Sequence, residues 1–260
     1  MLEITSVSNN LVKETTKLQQ KKFRKQSGLF LLEGYKPIFE AILSNVQIEK
    51  IFVTQHHFEK FSKLIKDSGK MVLVNDAIIE KISTTDTPPE AVAVATQLEY
   101  SLSQLSSCKK IALLENIKDA GNLGTIIRSA VAFGIDGIVL CGDTIDIFNP
   151  KVVRSAVGAL FKVPVVKSEL KDVKEIFSQH NFVATVVNHK DIVTPDKIDY
   201  SKPTVIMLGS EADGLTDEAI SLANTKTTIP MTKNTESLNL SIAASILFYI
   251  SSMNRFTKSS

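Results

Sequence analysis

From Ile111 to Ser252 short apolar runs alternate with segments of helical periodicity. IALLEN is followed by LGTIIRSAVAFG, GIVLC by KVVRSAVGALF, VPVV by DVKEIFSQH, FVATVV and TVIMLG by TDEAISLAN, and TTIP by SLNLSIAASILFYISS. The apolar runs are too short for buried helices and carry no polar face, so they read as strands covered on both sides. Strands that alternate with helices predict a mainly parallel sheet with helices on both faces, an α/β domain. Ligands of such sheets bind just past the carboxyl ends of the strands, so polar residues at those ends carry the most weight.

A smaller α/β unit precedes this domain. A helix through Pro37 to Leu43, the strand IEKIFVT, a helix near Phe58 to Lys66, the strand KMVLVN and, after the turn residues TTDTPP, the run AVAVATQ follow in order. A serine-rich stretch then marks a boundary, giving domains over residues 1–98 and 110–260 with a linker over 99–109. Residues 1–70 hold twelve Lys and Arg against seven Asp and Glu, while the rest hold eighteen against twenty-one, so the basic excess is all at the front. Lys13, Lys17, Lys21, Lys22, Arg24 and Lys25 recur at near-helical spacing opposite Leu11, Leu18 and Phe23. Such a face is either a solvated surface or a phosphate-contacting patch.

Composition narrows the setting. Cys108 and Cys141 stand far apart with no CxxC or CxxH spacing, which suggests neither a disulfide framework nor a zinc site and predicts a reducing cytoplasm without a bound metal. The longest apolar run, Leu238 to Ile250, contains Asn239, Ser241 and Ser245 and is shorter than the roughly 18 residues of a membrane span, so it reads as a core helix.

Three polar clusters sit at strand ends. In IALLENIKDAGNLGTIIRSAVAFG a strand runs into Gly121, Asn122 and Gly124, but Leu123 breaks GxGxxG and the spacing fails GxxxxGK[ST], which argues against a dinucleotide oxidoreductase. Arg128 then lies in an otherwise apolar helix with Gly124 before it and Ala132 after it, and its side chain should lean back toward Asn122. In VIMLGSEADGL, Glu211 occupies a loop between Gly209 and Gly214, ahead of a helix that Thr216 caps. Gly209 there serves a close ligand approach or a positive φ. In the third cluster, IPMTKNTESLNL, either Ser237 or Asn239 can cap the last helix, which leaves the other without a structural task. Asn239 should share a face with Ile242, Ala243, Ile246 and Ile250, where a buried amide needs partners.

Taken together, these segments resemble the motifs of the SpoU/TrmH branch of the SPOUT RNA methyltransferases. Asn122, Gly124 and Arg128 resemble the first motif, GSEADGL with Gly209 and Glu211 the second, and IPM with SLN, residues 229–231 and 237–239, the third. NPKVVRSAVGALF also fits the pattern. The resemblance implies a C-terminal SPOUT-type parallel sheet with a deep trefoil knot, a small α/β RNA-binding domain in front, and a homodimer. It implies methyl transfer from S-adenosyl-L-methionine to a ribose 2′-hydroxyl of structured RNA, with ribosomal RNA favoured by the separate front domain. A transfer-RNA methyltransferase and a non-catalytic RNA-binding or ribosome-assembly factor are the alternatives. Arg128, Asn122, Glu211, Ser237 and Asn239 match the catalytic positions, with Gly209, Ile229, Met231 and Leu238 at the cofactor. The front lysines and Arg24 are then expected on RNA phosphates.

Overall fold

A computed structural model describes residues 2–65, 67–187, 190–232 and 237–256. The chain divides into two compact units, one formed by residues 1–98 with 146–162, the other by residues 99–145 with 163–260.

The first unit contains β1 (Leu2–Ile4), α1 (Asn10–Lys17), α2 (Lys21–Ser27), β2 (Leu29–Glu33), α3 (Tyr35–Leu43), β3 (Ile48–Val53), α4 (Phe58–Ser62), β4 (Met71–Val74), α5 (Asp76–Ile82) and β5 (Ala91–Thr96). Its sheet runs β1-β4-β3-β5-β2, parallel from β1 to β3 and antiparallel at β5 and β2. The second unit contains β6 (Lys110–Glu115), α6 (Ala120–Ala132) and β7 (Gly137–Cys141); next in the chain comes α7 (Pro150–Ala156), which belongs to the first unit. The second unit resumes with β8 (Val165–Lys167), α8 (Leu170–Ile176), β9 (Asn181–Thr185), β10 (Ile192–Val193), β11 (Thr204–Leu208), α9 (Asp217–Ser221), β12 (Thr225–Thr227) and α10 (Leu240–Phe256). These strands form one parallel sheet in the order β10-β12-β9-β11-β6-β7-β8. The apolar side chains of β6, β7 and β11 are buried throughout, as strands covered on both faces must be.

Residues 146–162, which the sequence placed in the C-terminal domain, pack in the first unit because that unit supplies their partners. Arg24, only 1% exposed, donates from Nε and Nη2 to Asp146 Oδ2 at 2.8 and 2.6 Å, and from Nη1 to the carbonyls of Leu18 and Gln19 at 2.9 Å each. The guanidinium thereby satisfies carbonyls left open where α1 ends. Arg154 pairs with Glu33, Lys162 with Glu40 at 2.7 Å, and Phe148 packs on Phe30 with ring centroids 4.8 Å apart. Arg24 is therefore a structural residue and not a phosphate contact. The single basic helix expected over residues 13–25 is two helices, separated by a turn at 18–20.

Two further expectations change. Asn122, expected ahead of the helical run that begins at Leu123, lies inside α6, because the Asp119 side chain accepts from Asn122 N at 2.7 Å and starts the helix earlier. In α10 the buried side is Ser241, Ala244, Leu247, Phe248 and Ser251, while Ile242 is 51% exposed. No helix among the described residues is long and apolar enough to cross a membrane.

Asp146→Ala would strand a buried guanidinium, which costs about 3–5 kcal/mol. We expect denaturant unfolding to show a loss of that size, and an Asp146→Ala, Arg24→Met double variant to recover much of it.

Candidate active site

The carboxyl ends of β9, β11 and β12 lead into a crevice of about 640 Å³ in the second unit. That volume lies within the range of about 300–1,000 Å³ common for small-molecule sites. Its apolar wall includes Leu215, Ile229, Leu238 and Leu247, and its polar edge includes Ser210, Glu211, Asp213, Ser237 and Asn239.

The first turn of α6 and two loops meet at that edge through a directed chain of hydrogen bonds. Asn122 Nδ2 donates to Glu211 Oε1 at 2.8 Å, and Asn239 Nδ2 donates to Asn122 Oδ1 at 2.9 Å. Asn239 Oδ1 in turn accepts from Ser241 N at 2.9 Å and Ser241 Oγ at 2.6 Å, so the same side chain caps α10. An ionised carboxylate only accepts and a backbone N–H only donates, so both amides between them have one permitted orientation. Asn239 is thus helix cap and inter-loop donor at once. Behind this chain, Ser245 Oγ donates to Ser241 O at 2.6 Å, which leaves Ser129 to donate to Ser245 Oγ at 2.7 Å and fasten α6 to α10.

The loop that carries Glu211 has its own supports. Ser210 and Gly214 exchange backbone hydrogen bonds at 3.0 and 3.1 Å, with Gly214 at φ +72°. A Cβ on Gly209 would lie 1.9 Å from Gly214 C, so backbone crowding within the loop requires this glycine, not a positive φ. Glu115 ends β6 buried at 3% exposure and accepts from Thr216 N and Thr216 Oγ1, both at 2.8 Å. The sequence reading passed over Glu115; its signal is a lone charge at the end of the apolar run IALLEN. Ser129 and Ser245 were missed as well, since serine pairs across helices leave no periodic trace.

Of the expected residues, Asn122, Glu211 and Asn239 are joined directly, and Gly209, Ile229, Met231, Ser237 and Leu238 line the crevice. Arg128 lies further along α6, exposed, outside the crevice lining and without an ion pair among the described residues. Cys141, at the end of β7, is buried and its thiol is pushed up to about 12 by that burial and by Glu115 and Glu169, which keeps it protonated and unreactive.

A model of the SpoU rRNA methylase family matches residues 109–249, the region that carries all these loops. The chain belongs to the SpoU rRNA methylase family. An AdoMet-bound rRNA methyltransferase from Sinorhizobium meliloti shares its fold with a TM-score of 0.86 at 32% identity, over 96% of each chain. The 23S rRNA (guanosine(2553)-2′-O)-methyltransferase RlmP of Bacillus subtilis is 29% identical over 96% of this chain and 98% of its own. The 23S rRNA (uridine(2479)-2′-O)-methyltransferase of Streptomyces viridochromogenes is 28% identical over 87% and 83%. A second model, the MRM3-like substrate binding domain, matches residues 9–93. The protein is accordingly an RNA methyltransferase with an α/β fold and another compact unit built mainly from its first 98 residues.

Each exposed hydrogen bond in the amide chain is worth only about 0.5–1.5 kcal/mol, so its loss should damage geometry more than stability. Asn239→Asp keeps the cap but sets an acceptor against Asn122 Oδ1. We expect its melting temperature to stay near wild type while methyl transfer falls about tenfold or more. Gly209→Ala should instead lower stability, by about 1–3 kcal/mol or beyond, because its clash is with backbone.

Proposed function

We propose that the protein transfers a methyl group from S-adenosyl-L-methionine to a ribose 2′-hydroxyl of ribosomal RNA. The observation that carries this reading is the Glu211–Asn122–Asn239 chain, which ties two crevice loops to the first turn of α6 in the SpoU-matched region. The crevice suits the cofactor chemically: Ile229, Leu238 and Leu247 offer an apolar wall for the adenine, and Glu211 and Asp213 offer carboxylates to a cationic ligand. When bound, S-adenosyl-L-methionine supplies an electrophilic methyl group on a good leaving group. The protein's task is then to align a weak hydroxyl nucleophile and accommodate the loss of its proton.

Arg128 takes that task. Arginine stays protonated in proteins, so it holds the developing alkoxide and a neighbouring phosphate, while the hydroxyl proton passes to solvent water at this exposed position. Its exposed place on α6, the helix whose first turn anchors the amide chain, supports a role toward RNA and not toward cofactor. Asn122, Glu211, Ser237 and Asn239 hold the loops and the hydroxyl in register, while Gly209, Ile229, Met231 and Leu238 shape the cofactor side. Ribosomal RNA is favoured over transfer RNA by the activities of the two named relatives, and a cytoplasmic location belongs to the same reading. On the front unit Lys13, Lys17, Lys21, Lys22 and Lys25 contact phosphates.

A homodimer belongs to the same reading. Ile242, Tyr249 and Met253 are 51%, 49% and 47% exposed and recur on one face of α10, so this helix is apolar on the outer side as well as the buried one. The deep trefoil knot implied by the family resemblance is likewise part of the proposal, supported by fold likeness over nearly the whole chain.

Labelled S-adenosyl-L-methionine and total RNA from a strain lacking the protein should give labelled ribosomal RNA with one new position resistant to alkaline cleavage. No label in any RNA would end the proposal. Arg128→Ala should lower turnover by about a hundredfold or more, with calorimetric cofactor affinity nearly unchanged. Ile242→Glu should move the sedimenting species from dimer to monomer.

A further inference from the structure

The reaction above leaves one recess in the first unit without a task. It has a volume of about 590 Å³ and opens between α1, α2 and the strands β2, β3 and β5. Leu11, Leu18, Leu29 and Val94 give it an apolar floor, and Phe23, half-buried on α2, forms a wall. The ammonium groups of Lys17 and Lys22 lie 5.6 and 5.9 Å from the centre of the Phe23 ring. Across the recess Glu49 Oε1 accepts from Gln47 Nε2 at 2.5 Å and Thr96 Oγ1 at 3.1 Å. A carboxylate has about four acceptor sites, so this fixed group keeps capacity for further donors.

Cation distribution decides what such a recess takes. Along α1 and α2, Lys13, Lys17, Lys21, Lys22 and Lys25 face a single acid, Glu14, which pairs with Lys17 at 2.7 Å at the exposed rim. An apolar peptide would gain from the floor but has no use for the lysines. A single nucleic-acid strand needs both, because bases stack on aromatic rings while the backbone follows positive charge.

We infer that the recess receives one unpaired nucleobase of the RNA, stacked on Phe23, with its flanking phosphates on Lys17 and Lys22 and its N–H edge toward Glu49. This rests on the reading of the protein as an RNA-modifying enzyme and adds to it a place where sequence is read. Guanine fits best, since its Watson–Crick edge carries adjacent imino and amino donors that a carboxylate can accept together.

Fluorescence anisotropy on the full chain with the heptanucleotides UUUGUUU and UUUUUUU tests it. We expect the guanosine strand to bind about tenfold tighter, with affinity falling as salt rises. Phe23→Leu, which keeps an apolar wall without a stacking face, should lose about tenfold; Phe23→Trp should retain binding, and Glu49→Gln should erase the preference for guanosine. Equal binding by wild type and Phe23→Leu overturns the inference, and so does displacement by an apolar heptapeptide but not by RNA. Ribosomal RNA methylated by Phe23→Leu with unchanged KM sinks the recess and spares the enzyme. A wild type that methylates nothing, yet binds the heptamer through Phe23, does the reverse.

Discussion

The geometry of the site depends on the polarity of one hydrogen-bond chain. Glu211 can only accept and the first amides of α10 can only donate, so Asn122 and Asn239 between them are forced into a single orientation. The bonded groups are separated by 89 and 117 residues of sequence, which makes the positions of the two loops and of the start of α6 conditions for one another. An aspartate, a glutamine or a serine at either position would break length or polarity somewhere along the line.

These bonds are too exposed to hold the domain together. The parallel sheet does that, because β6, β9 and β11 are buried on both faces and end side by side with β12 beyond β9, delivering their loops to one place. Buried Glu115 then locks the start of α9, and the Gly209–Gly214 crowding fixes the loop in between. Backbone and core thus set positions to within hydrogen-bond reach, and the amides complete the alignment, the arrangement expected of a preorganised site on rigid elements.

The alternation of apolar runs and helical periodicity made the second sheet legible almost strand by strand, because burial on both faces leaves an uninterrupted signature. β2 was not legible: LFLLE adjoins a basic helix and resembles the end of it. The three site clusters were visible as polar residues at strand ends, but the link from Asn122 to Asn239 was not, since spacing along a chain says nothing about which loops meet. Arg24 shows the opposite error. Its spacing matched the neighbouring lysines, while its acceptors, Asp146 and the carbonyls ending α1, became apparent only in three dimensions. The buried face of α10 was misread for a related reason: a helix apolar all round has no periodicity from which to tell inside from outside.

The excursion of residues 146–162 also governs when the amino-terminal unit can be finished during synthesis. Arg24 is made 122 residues before Asp146, an interval of roughly 6 to 24 s at ribosomal elongation rates of about 5–20 residues per second. Through that interval the nascent unit carries a guanidinium without its carboxylate, Glu33 without Arg154 and the Phe30 ring without Phe148. Although it emerges first, the unit is therefore completed only when residues 146–162 have been made.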